Sequence, residues 1–447
     1  MRRPDRTVRR RTRAAVLTTS LVGTCLATLL TGPAAGAAGP VATSGRVSTS
    51  SAASARMLSV SPYRYSAADL RIRSKLTTRS TSTALGRGFS GSVRDAETGR
   101  LIWRSRGDTG RMPASTTKLV TSIDALAVYG PDHRFTTTVR QGSTPDSIVL
   151  VGSGDPSLSS SNLASLALDT AAGLQAAGVT SVKLWADDYR FARATRATGW
   201  KASNVPGDVR LVRALVVDGH NVDNTTLDAA TVFATKLKAA GLTVQSVGLA
   251  RAPRGTAVLA SVQGLRLDQI VHHMLLASDN DYAEALNRLV GIGTGFGSTW
   301  TGARKAQVAT LAKQGFTLPY GRLFDGSGIS RSDRLTSNQL SSLVRIVLDP
   351  SRTDLAVMAT GGALPVSGRT GTLAARYKRY TTAPSKCARG EITAKTGTLN
   401  DAVALSGWTT GSDGRVKTFA FLVNGKRATK SLMQRVDTLA ATVNGCY

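Results

Sequence analysis

Three short motifs contain the side chains best suited to chemistry in this 447-residue chain. They combine a hydroxyl with a lysine, a hydroxyl with an amide, and a lysine with a glycine. We name them the SxxK, SDN and KTG motifs, and they are Ser115-Thr-Thr-Lys118, Ser278-Asp-Asn280 and Lys395-Thr-Gly397. A serine hydroxyl is a poor nucleophile until a base takes its proton. The residue types therefore predict attack on an acyl carbon by a serine that an amine activates.

The SxxK motif places a nucleophile beside a base. Ser115 precedes Lys118 by three positions, which puts both side chains on one face of a helix, with Cβ atoms about 5–6 Å apart. A lysine acts as a base only when burial or a nearby cation lowers its pKa, and we expect Lys395 to supply that cation. The N–H of Ser115, at a helix N-terminus, is predicted to face a developing oxyanion. Alone, the motif is a weak signal, and a helix start with a surface lysine is the favoured interpretation.

The SDN motif offers a proton relay and an amide. Ser278 is predicted to bridge Lys118 and the nitrogen of the leaving group, and Asn280 to hold the substrate amide. Ser, Asp and Asn also cap helices, which is the alternative reading of this motif. We assign Asp279 and Glu284 to capping and structural contacts and not to catalysis.

The KTG motif lies on a predicted strand, whose edge can align a substrate by main-chain pairing. Lys395 and Thr396 are suited to bind a carboxylate, and Gly397 lets another backbone approach closely. The N–H of Thr398 is the predicted second oxyanion donor. Alone, the motif also fits a β-turn with a surface lysine. Because all three motifs occur in this order on a predicted helix, loop and strand, we expect them to form one active site.

Periodic patterns predict the elements that position these motifs. A helix begins near Pro113 and ends near Tyr129, and a second helical pattern covers Leu267–Val290. A hairpin and three strands of a central sheet are predicted at Phe89–Arg104, Glu391–Thr396, Ala402–Thr409 and Val416–Asn424.

The chain between the SxxK and SDN motifs has a different pattern. From about residue 142 to residue 260, short apolar runs that are typical of strands alternate with helical stretches. Leu211–Val217 is one of the apolar runs. The pattern predicts an inserted domain of mixed α/β structure.

The N-terminus predicts export. Seven arginines precede an apolar run from about Ala14 to Leu30, and small residues follow, which is typical of a secretory signal peptide cleaved near Ala37. A membrane anchor is the alternative, although the run is short for a full span. We therefore expect a signal peptide at 1–37 and a disordered Ser/Ala-rich linker at 38–80.

Export determines how the cysteines and the charge are interpreted. Removing the signal leaves Cys387 and Cys446, and an even number of cysteines in an oxidising compartment predicts a disulfide between them. The net charge of +29 predicts attraction to polyanions, here cell-wall polymers or lipid headgroups, although a solvated basic surface fits equally well. We expect no nucleic-acid partner, since no nucleic-acid motif is present. We also expect no metal or cofactor, since no cysteine or histidine cluster has ligand spacing.

The three motifs together resemble those of penicillin-binding proteins and β-lactamases. Four further segments are similar to motifs of the D-alanyl-D-alanine carboxypeptidase/endopeptidase family, the low-molecular-mass class C penicillin-binding proteins, and they are Leu150–Leu158, Ala214–Asn221, Phe324–Arg331 and Leu364–Leu373. The resemblance implies an α/β (α+β) fold. A penicillin-recognising, transpeptidase/β-lactamase-like domain, with a central antiparallel sheet flanked by helices, would occupy 81–141 and 261–447. The inserted domain would occupy 142–260.

The resemblance also implies an activity: serine-type D-Ala-D-Ala carboxypeptidase, acting outside the cytoplasm on peptidoglycan stem peptides and inhibited by β-lactams, with endopeptidase cleavage of cross-links left open. The resemblance implies that Ser115 is the acylated nucleophile and Lys118 the base, and that Ser278 and Asn280 assist them. It also implies that Lys395 and Thr396, followed by Gly397, bind the carboxylate. The N–H of Thr398 would be an oxyanion donor.

Two other functions fit the same motifs. A β-lactamase needs an efficient deacylating water, and no E-x-x-x-N element lies in a suitable place between the SDN and KTG motifs. A non-catalytic, basic wall-binding protein on the same fold would explain the charge. Such a protein has no need of an intact Ser115, Lys118 and Lys395.

Overall fold

The computed structural model describes residues 64–319 and 321–447, so the predicted signal peptide and most of the predicted linker lie outside the described residues. The strands are β1 (Phe89–Asp95), β2 (Leu101–Ser105), β3 (Arg134–Gln141), β4 (Ser147–Val151), β5 (Ser181–Asp187), β6 (Thr243–Leu249), β7 (Val258–Arg266), β8 (Ile392–Leu399), β9 (Ala402–Thr410) and β10 (Val416–Asn424). The helices are α1 (Ala67–Ser80), α2 (Lys118–Tyr129), α3 (Ser160–Ala176), α4 (Thr225–Ala239), α5 (Leu267–Ala277), α6 (Asn280–Gly293), α7 (Trp300–Lys313), α8 (Ser337–Val347), α9 (Ala356–Ala359), α10 (Ala383–Lys386) and α11 (Lys430–Asn444).

The first sheet is antiparallel and has the strand order β2-β1-β10-β9-β8. Side chains alternate between its two faces, as β geometry requires. In β10, Phe419 and Phe421 pack in one core with residues of α1 and α11. Ala420 and Leu422 pack in the other core with residues of α2, α5, α6 and α8. The predicted antiparallel sheet flanked by helices is therefore confirmed.

The second sheet has the strand order β6-β5-β4-β3-β7. Strands β4, β5 and β6 are parallel, whereas β3 pairs antiparallel with both β4 and β7. Helices α3 and α4 share an apolar core with these strands, which makes this a mixed α/β module. Because β3 and β7 belong to the sheet, the module extends beyond the predicted bounds of 142 and 260 on both sides, to 134 and 266.

Residues 67–80, which the composition placed in the disordered linker, form helix α1. Ser66 caps the helix in a capping box with Asp69, and Ile72 and Leu76 are fully buried against the first sheet. Two apolar residues one turn apart are enough to dock a helix. In a segment dominated by Ser, Thr and Arg, they leave little trace in the average composition.

Leu211–Val217 is not a strand, contrary to the expectation from its apolar run. The segment is irregular, yet Leu215 and Val217 are fully buried in the core of the second module. Its backbone groups form isolated hydrogen bonds and not the regular ladder of a strand. For example, the Ala214 N–H donates to the Asp188 carboxylate at 2.6 Å. A buried loop carries the same apolar pattern as a buried strand, so the sequence alone does not separate the two.

The predicted disulfide between Cys387 and Cys446 is confirmed. Cys387 directly follows α10, and Cys446 lies just beyond the end of α11, with 6.0 Å between the two Cα atoms. The bond fastens the C-terminal helix to the segment that leads into β8 and its KTG motif.

Helix α1 provides a direct test of the correction. Leu76→Ala should lower the free energy of unfolding by about 2–5 kcal/mol, because the side chain is fully buried. Leu70→Ala on the same helix, where the side chain is 54% exposed, should cost less than about 1 kcal/mol. Urea denaturation of the two variants and the parent chain measures both values. Equal, small losses would show that α1 is not part of the folded core.

Candidate active site

The three motifs lie side by side at the β8 edge of the first sheet. The Nζ of Lys118 is 3.1 Å from Ser115 Oγ and 2.7 Å from Asn280 Oδ1, which joins the SxxK and SDN motifs. The Nζ of Lys395 is 2.9 Å from Ser278 Oγ, which joins the SDN and KTG motifs. Two sets of hydrogen bonds, one at each lysine, thus bring together residues separated by up to 280 positions in the chain.

Ser115 lies on a 3-10 turn, Ala114–Thr117, and not in the predicted α-helix, which begins only at Lys118. In a 3-10 turn, residues three apart eclipse each other, so the Ser115 and Lys118 side chains meet directly. Ala114 adopts a φ of 47°, which is a strained value for a residue with a Cβ.

Two glycines make room for this strained turn. A Cβ atom at Gly397 would lie 2.7 Å from the carbonyl oxygen of Pro113, and a Cβ atom at Gly328 would collide with the carbonyl of Ala114. Strand β8 on one side and the loop around Gly328 on the other therefore press against the backbone next to Ser115. This close approach is the observed use of Gly397.

Lys118 is fully buried and has three hydrogen-bond partners, namely Ser115 Oγ, Asn280 Oδ1 and the carbonyl oxygen of Ser327 at 3.0 Å. The amide orientation of Asn280 is defined, because its Nδ2 donates to the carbonyl of Asp208 at 2.8 Å. Asn280 Oδ1 and Ser327 O can only accept. A neutral amine has two N–H groups and one lone pair, so these two acceptors direct the lone pair at the hydroxyl of Ser115.

Burial lowers the pKa of Lys118 to about 8, against the opposing effect of the Glu284 and Asp325 carboxylates. Of the two causes that the sequence offered, burial and a nearby cation, burial is the dominant one. The pKa of Lys395 itself is well below its usual value, because the side chain is buried and, secondarily, because Lys118 is a neighbouring cation. Both lysines therefore lie in a setting that favours the neutral amine.

The SDN motif interrupts the helical pattern predicted for Leu267–Val290. Ser278 adopts the left-handed conformation and ends α5, and Asp279 caps the start of α6 by accepting from Tyr282 N–H at 3.1 Å. The capping role predicted for Asp279 is confirmed. Ser278 accepts from Lys395 and not from Lys118, so its amine partner differs from the one that we had predicted.

Strand β8 presents a partly free edge to the site. It is the last strand of the first sheet, and Ala394 N–H donates outward to the carbonyl of Pro365 at 3.0 Å. Backbone groups alternate in direction along a strand, so the N–H groups of Thr396 and Thr398 also point away from β9. The Thr396 hydroxyl lies 2.6 Å from the hydroxyl of Thr372, and Thr398 lines the cleft.

A loop that we name the DGSG loop, residues 325–328, supplies the Ser327 carbonyl, and buried carboxylates hold it in place. Glu284 accepts from the N–H groups of Gly326 and Ser327 at 2.9 and 2.7 Å, which confirms the structural role predicted for it. Burial and the neighbouring Asp325 raise the pKa of Glu284 to about 8. Ser327 was missed as a contributor to the site, although it lies within Phe324–Arg331, one of the segments that resemble family motifs.

A cleft of about 780 Å³ opens beside Ser115, Asn280 and Thr398. Its opposite wall includes residues 201–208 of the second module, and the cationic side chains around it are Lys201, Arg331 and Arg427. The Arg331 guanidinium forms an ion pair with Asp401. The cleft can thus hold a peptide with an anionic end, with Ser115 and Thr398 in its lining and the buried amine of Lys118 directly behind Ser115.

Comparisons with known proteins agree with this geometry. A family model described as the D-Ala-D-Ala carboxypeptidase 3 (S13) family matches residues 72–218 and 205–443. Carboxypeptidase Rv3627c of Mycobacterium tuberculosis is 32% identical over 357 residues, covering 75% of this chain and 76% of the relative. Carboxypeptidase DacB of Mycolicibacterium smegmatis is 31% identical over 376 residues, covering 80% of each.

The fold is also similar to a solved structure. Penicillin-binding protein 4 (dacB) of Haemophilus influenzae superposes with a TM-score of 0.70 at 20% identity, covering 83% of this chain and 97% of that chain. The predicted fold class is therefore confirmed. Since the family model matches most of the sequence, the chain belongs to the D-Ala-D-Ala carboxypeptidase 3 (S13) family and is a peptidase.

Proposed function

We propose that the protein releases the terminal D-alanine from D-Ala-D-Ala peptides of peptidoglycan through an acyl-enzyme on Ser115. The observation that carries this proposal is the lone pair of Lys118, which two obligate acceptors direct at Ser115 Oγ. Lys118 takes the proton of Ser115 while Oγ bonds to the carbonyl carbon of the penultimate D-alanine. The N–H groups of Ser115 and Thr398 stabilise the resulting oxyanion.

The leaving amine needs a proton, and we assign Ser278 to deliver it. Its oxygen accepts from Lys395, which leaves its own hydrogen free to donate. When the C–N bond breaks, the proton of Ser278 moves to the leaving nitrogen, and Lys395 replaces it. Water then attacks the carbonyl carbon of the ester, and the proton that the water loses returns Lys395 to its charged form. As the ester bond breaks, Lys118 returns its proton to the Ser115 oxygen.

Lys395 and Thr396 are proposed to bind the terminal carboxylate. The pKa of Lys395 is well below its usual value in the free site. A carboxylate within contact distance favours the charged amine, so binding of the substrate raises that pKa and protonates Lys395. The outward N–H groups of β8 align the peptide as an added strand.

The proposed site of action is outside the cytoplasm, at the peptidoglycan, and the proposed inhibitors are β-lactams. The signal peptide predicted from the sequence supports this location. Within residues 64–319 and 321–447, none of the helices combines the length and apolar character that a bilayer span requires. The structurally similar penicillin-binding protein 4 of Haemophilus influenzae is known in complex with a β-lactam.

A single incubation tests the activity. The protein is mixed with diacetyl-Lys-D-Ala-D-Ala and, separately, with cross-linked muropeptides. We expect free D-alanine from the first substrate, and chromatography of the second shows whether cross-links are also cleaved. Fast turnover of nitrocefin with no D-alanine release would instead indicate a β-lactamase.

Ser115→Ala should reduce D-alanine release by about a thousandfold or more, because no other group can form the acyl-enzyme. Mass spectrometry after penicillin treatment should show one adduct on Ser115 in the parent protein and none in the variant. Ser203→Ala, at another serine that lines the cleft, is the matched control and should keep the adduct. An adduct on Ser115→Ala would contradict the assignment.

The pKa of Lys118 predicts the pH dependence. The base must be neutral, so kcat/KM should rise with pH and reach half its maximum near the pKa of about 8. Lys118→Arg keeps the charge but cannot lose its proton, so it should remove acylation by both peptide and penicillin. A profile that stays flat between about pH 6 and pH 10 would show that Lys118 is not the base.

Glu284→Gln tests how the DGSG loop positions the base. The variant loses one of two acceptors for the loop N–H groups, so kcat/KM should fall about ten- to a hundredfold. The Glu284 carboxylate raises the pKa of Lys118, but its own pKa of about 8 leaves it only partly ionised in this range, so its removal should shift the acidic limb of the profile modestly to lower pH. Glu97→Gln, which removes an exposed carboxylate, is the control. An unshifted limb would indicate a purely structural role.

A further inference from the structure

A second cavity of about 560 Å³ lies far from the cleft, and we name it the basic groove. It lies where the end of α2 meets β3 and the loops that follow β5 and β6, and the cationic or titratable side chains around it are His133, Arg134, Arg140, Arg190 and Arg254. Ser115 precedes the first turn of α2, and the groove follows its last turn. The 12 residues of α2 span about 18 Å, so the two sites are separate.

The cations of the basic groove lack carboxylate partners. Within the part of the chain that the structure describes, Arg190 and Arg254 are exposed and make no hydrogen bond or ion pair. Arg134 and Arg140 donate to backbone carbonyls of Gly264 and Thr256, at 2.6 and 3.3 Å, which leaves their charge uncompensated.

One acidic residue lines the groove, and its charge offsets one of the four arginines there. Asp187 is buried and accepts from the N–H groups of Tyr189 and Ala252, both at 2.8 Å. Its oxygens organise the two loops and are not directed at the arginines.

Neighbouring arginines of the same module show the contrast. Arg210 is paired with Asp281 and Arg213 with Asp188, each at 2.7 Å. Burial and the charge of Arg190 lower the pKa of His133, which shows that the cations already act on their neighbours. Uncompensated like charges destabilise a compact fold, and a concave site with an excess of positive charge concentrates anions. The groove is therefore suited to an anion.

The geometry favours a chain of anionic groups over a single ion or a flat surface. Arg134 and Arg140 are six residues apart on β3, which places them about 20 Å apart. Thr136 and Thr138 lie between them, and their hydroxyls also line the groove. Cations at the two ends of this row, with hydroxyl groups between them, suit an extended chain that carries both anionic and hydroxyl groups. A concave groove excludes a flat membrane but admits a narrow chain.

We propose that the basic groove binds the phosphodiester backbone of an anionic cell-wall polymer. Bound there, the polymer would hold the enzyme on the wall and leave the cleft at the other end of α2 free for peptides. This proposal goes beyond the peptidase activity and does not depend on it, since soluble peptides are cleaved without any wall polymer.

The test measures binding of the full mature protein to poly(glycerol phosphate) by titration calorimetry at physiological ionic strength. The double variant Arg190→Gln/Arg254→Gln should bind at least about tenfold more weakly. Arg71→Gln/Arg435→Gln removes the same charge from exposed positions on α1 and α11, and it should bind within about twofold of the parent. D-alanine release from the soluble peptide should be unchanged in both variants.

Three results would overturn the proposal. Equal weakening in the two double variants would assign the binding to overall charge and not to the groove. Binding to vesicles of anionic lipid but not to the polymer would indicate a membrane surface instead. Absence of polymer binding by a parent protein that releases D-alanine would refute the groove while leaving the peptidase assignment intact.

Discussion

The burial of one amine determines most of what this active site can do. Lys118 is removed from water and surrounded by a serine hydroxyl, an amide oxygen and a backbone carbonyl. A buried charge is costly, so the amine loses its proton at a lower pH than a surface lysine would. Two acceptors that cannot donate then determine where the lone pair points. The packing around Lys118 thus determines both the basicity of its amine and the direction of its lone pair.

Each of those acceptors depends on a distant part of the fold. The amide of Asn280 is oriented by the carbonyl of Asp208, in the second module. The DGSG loop is held by Glu284 and by Asp325, which also accepts from the indole N–H of Trp200 at 2.7 Å. Trp200 and Asp208, both in the second module, therefore help to position the groups around Lys118. A change that removes the Trp200 indole or displaces the Asp208 carbonyl would disturb the base without touching it.

Much of the fold and the site was predictable from the sequence, and the errors share a cause. The central sheet and its flanking helices were predicted from local periodicity, and the disulfide from the two cysteines that remain after the predicted signal. Both signals can be read directly from the linear sequence. Helix α1 and the buried 211–217 loop were misjudged, because their conformation depends on what packs against them. The same holds for Ser278, whose partner is Lys395 and not Lys118.

The sequence by itself identified the side chains that we propose for the chemistry: a serine, two lysines, a second hydroxyl and an amide, in three short motifs whose order and spacing are visible without a structure. Only the tertiary structure decided their protonation and pairing. Burial sets the pKa of Lys118, and residues from two modules and the DGSG loop orient its partners. Likewise, the sequence showed an excess of positive charge. The fold places some arginines in ion pairs with carboxylates and others, without a carboxylate partner, around the basic groove, because pairing depends on distance in space and not along the chain.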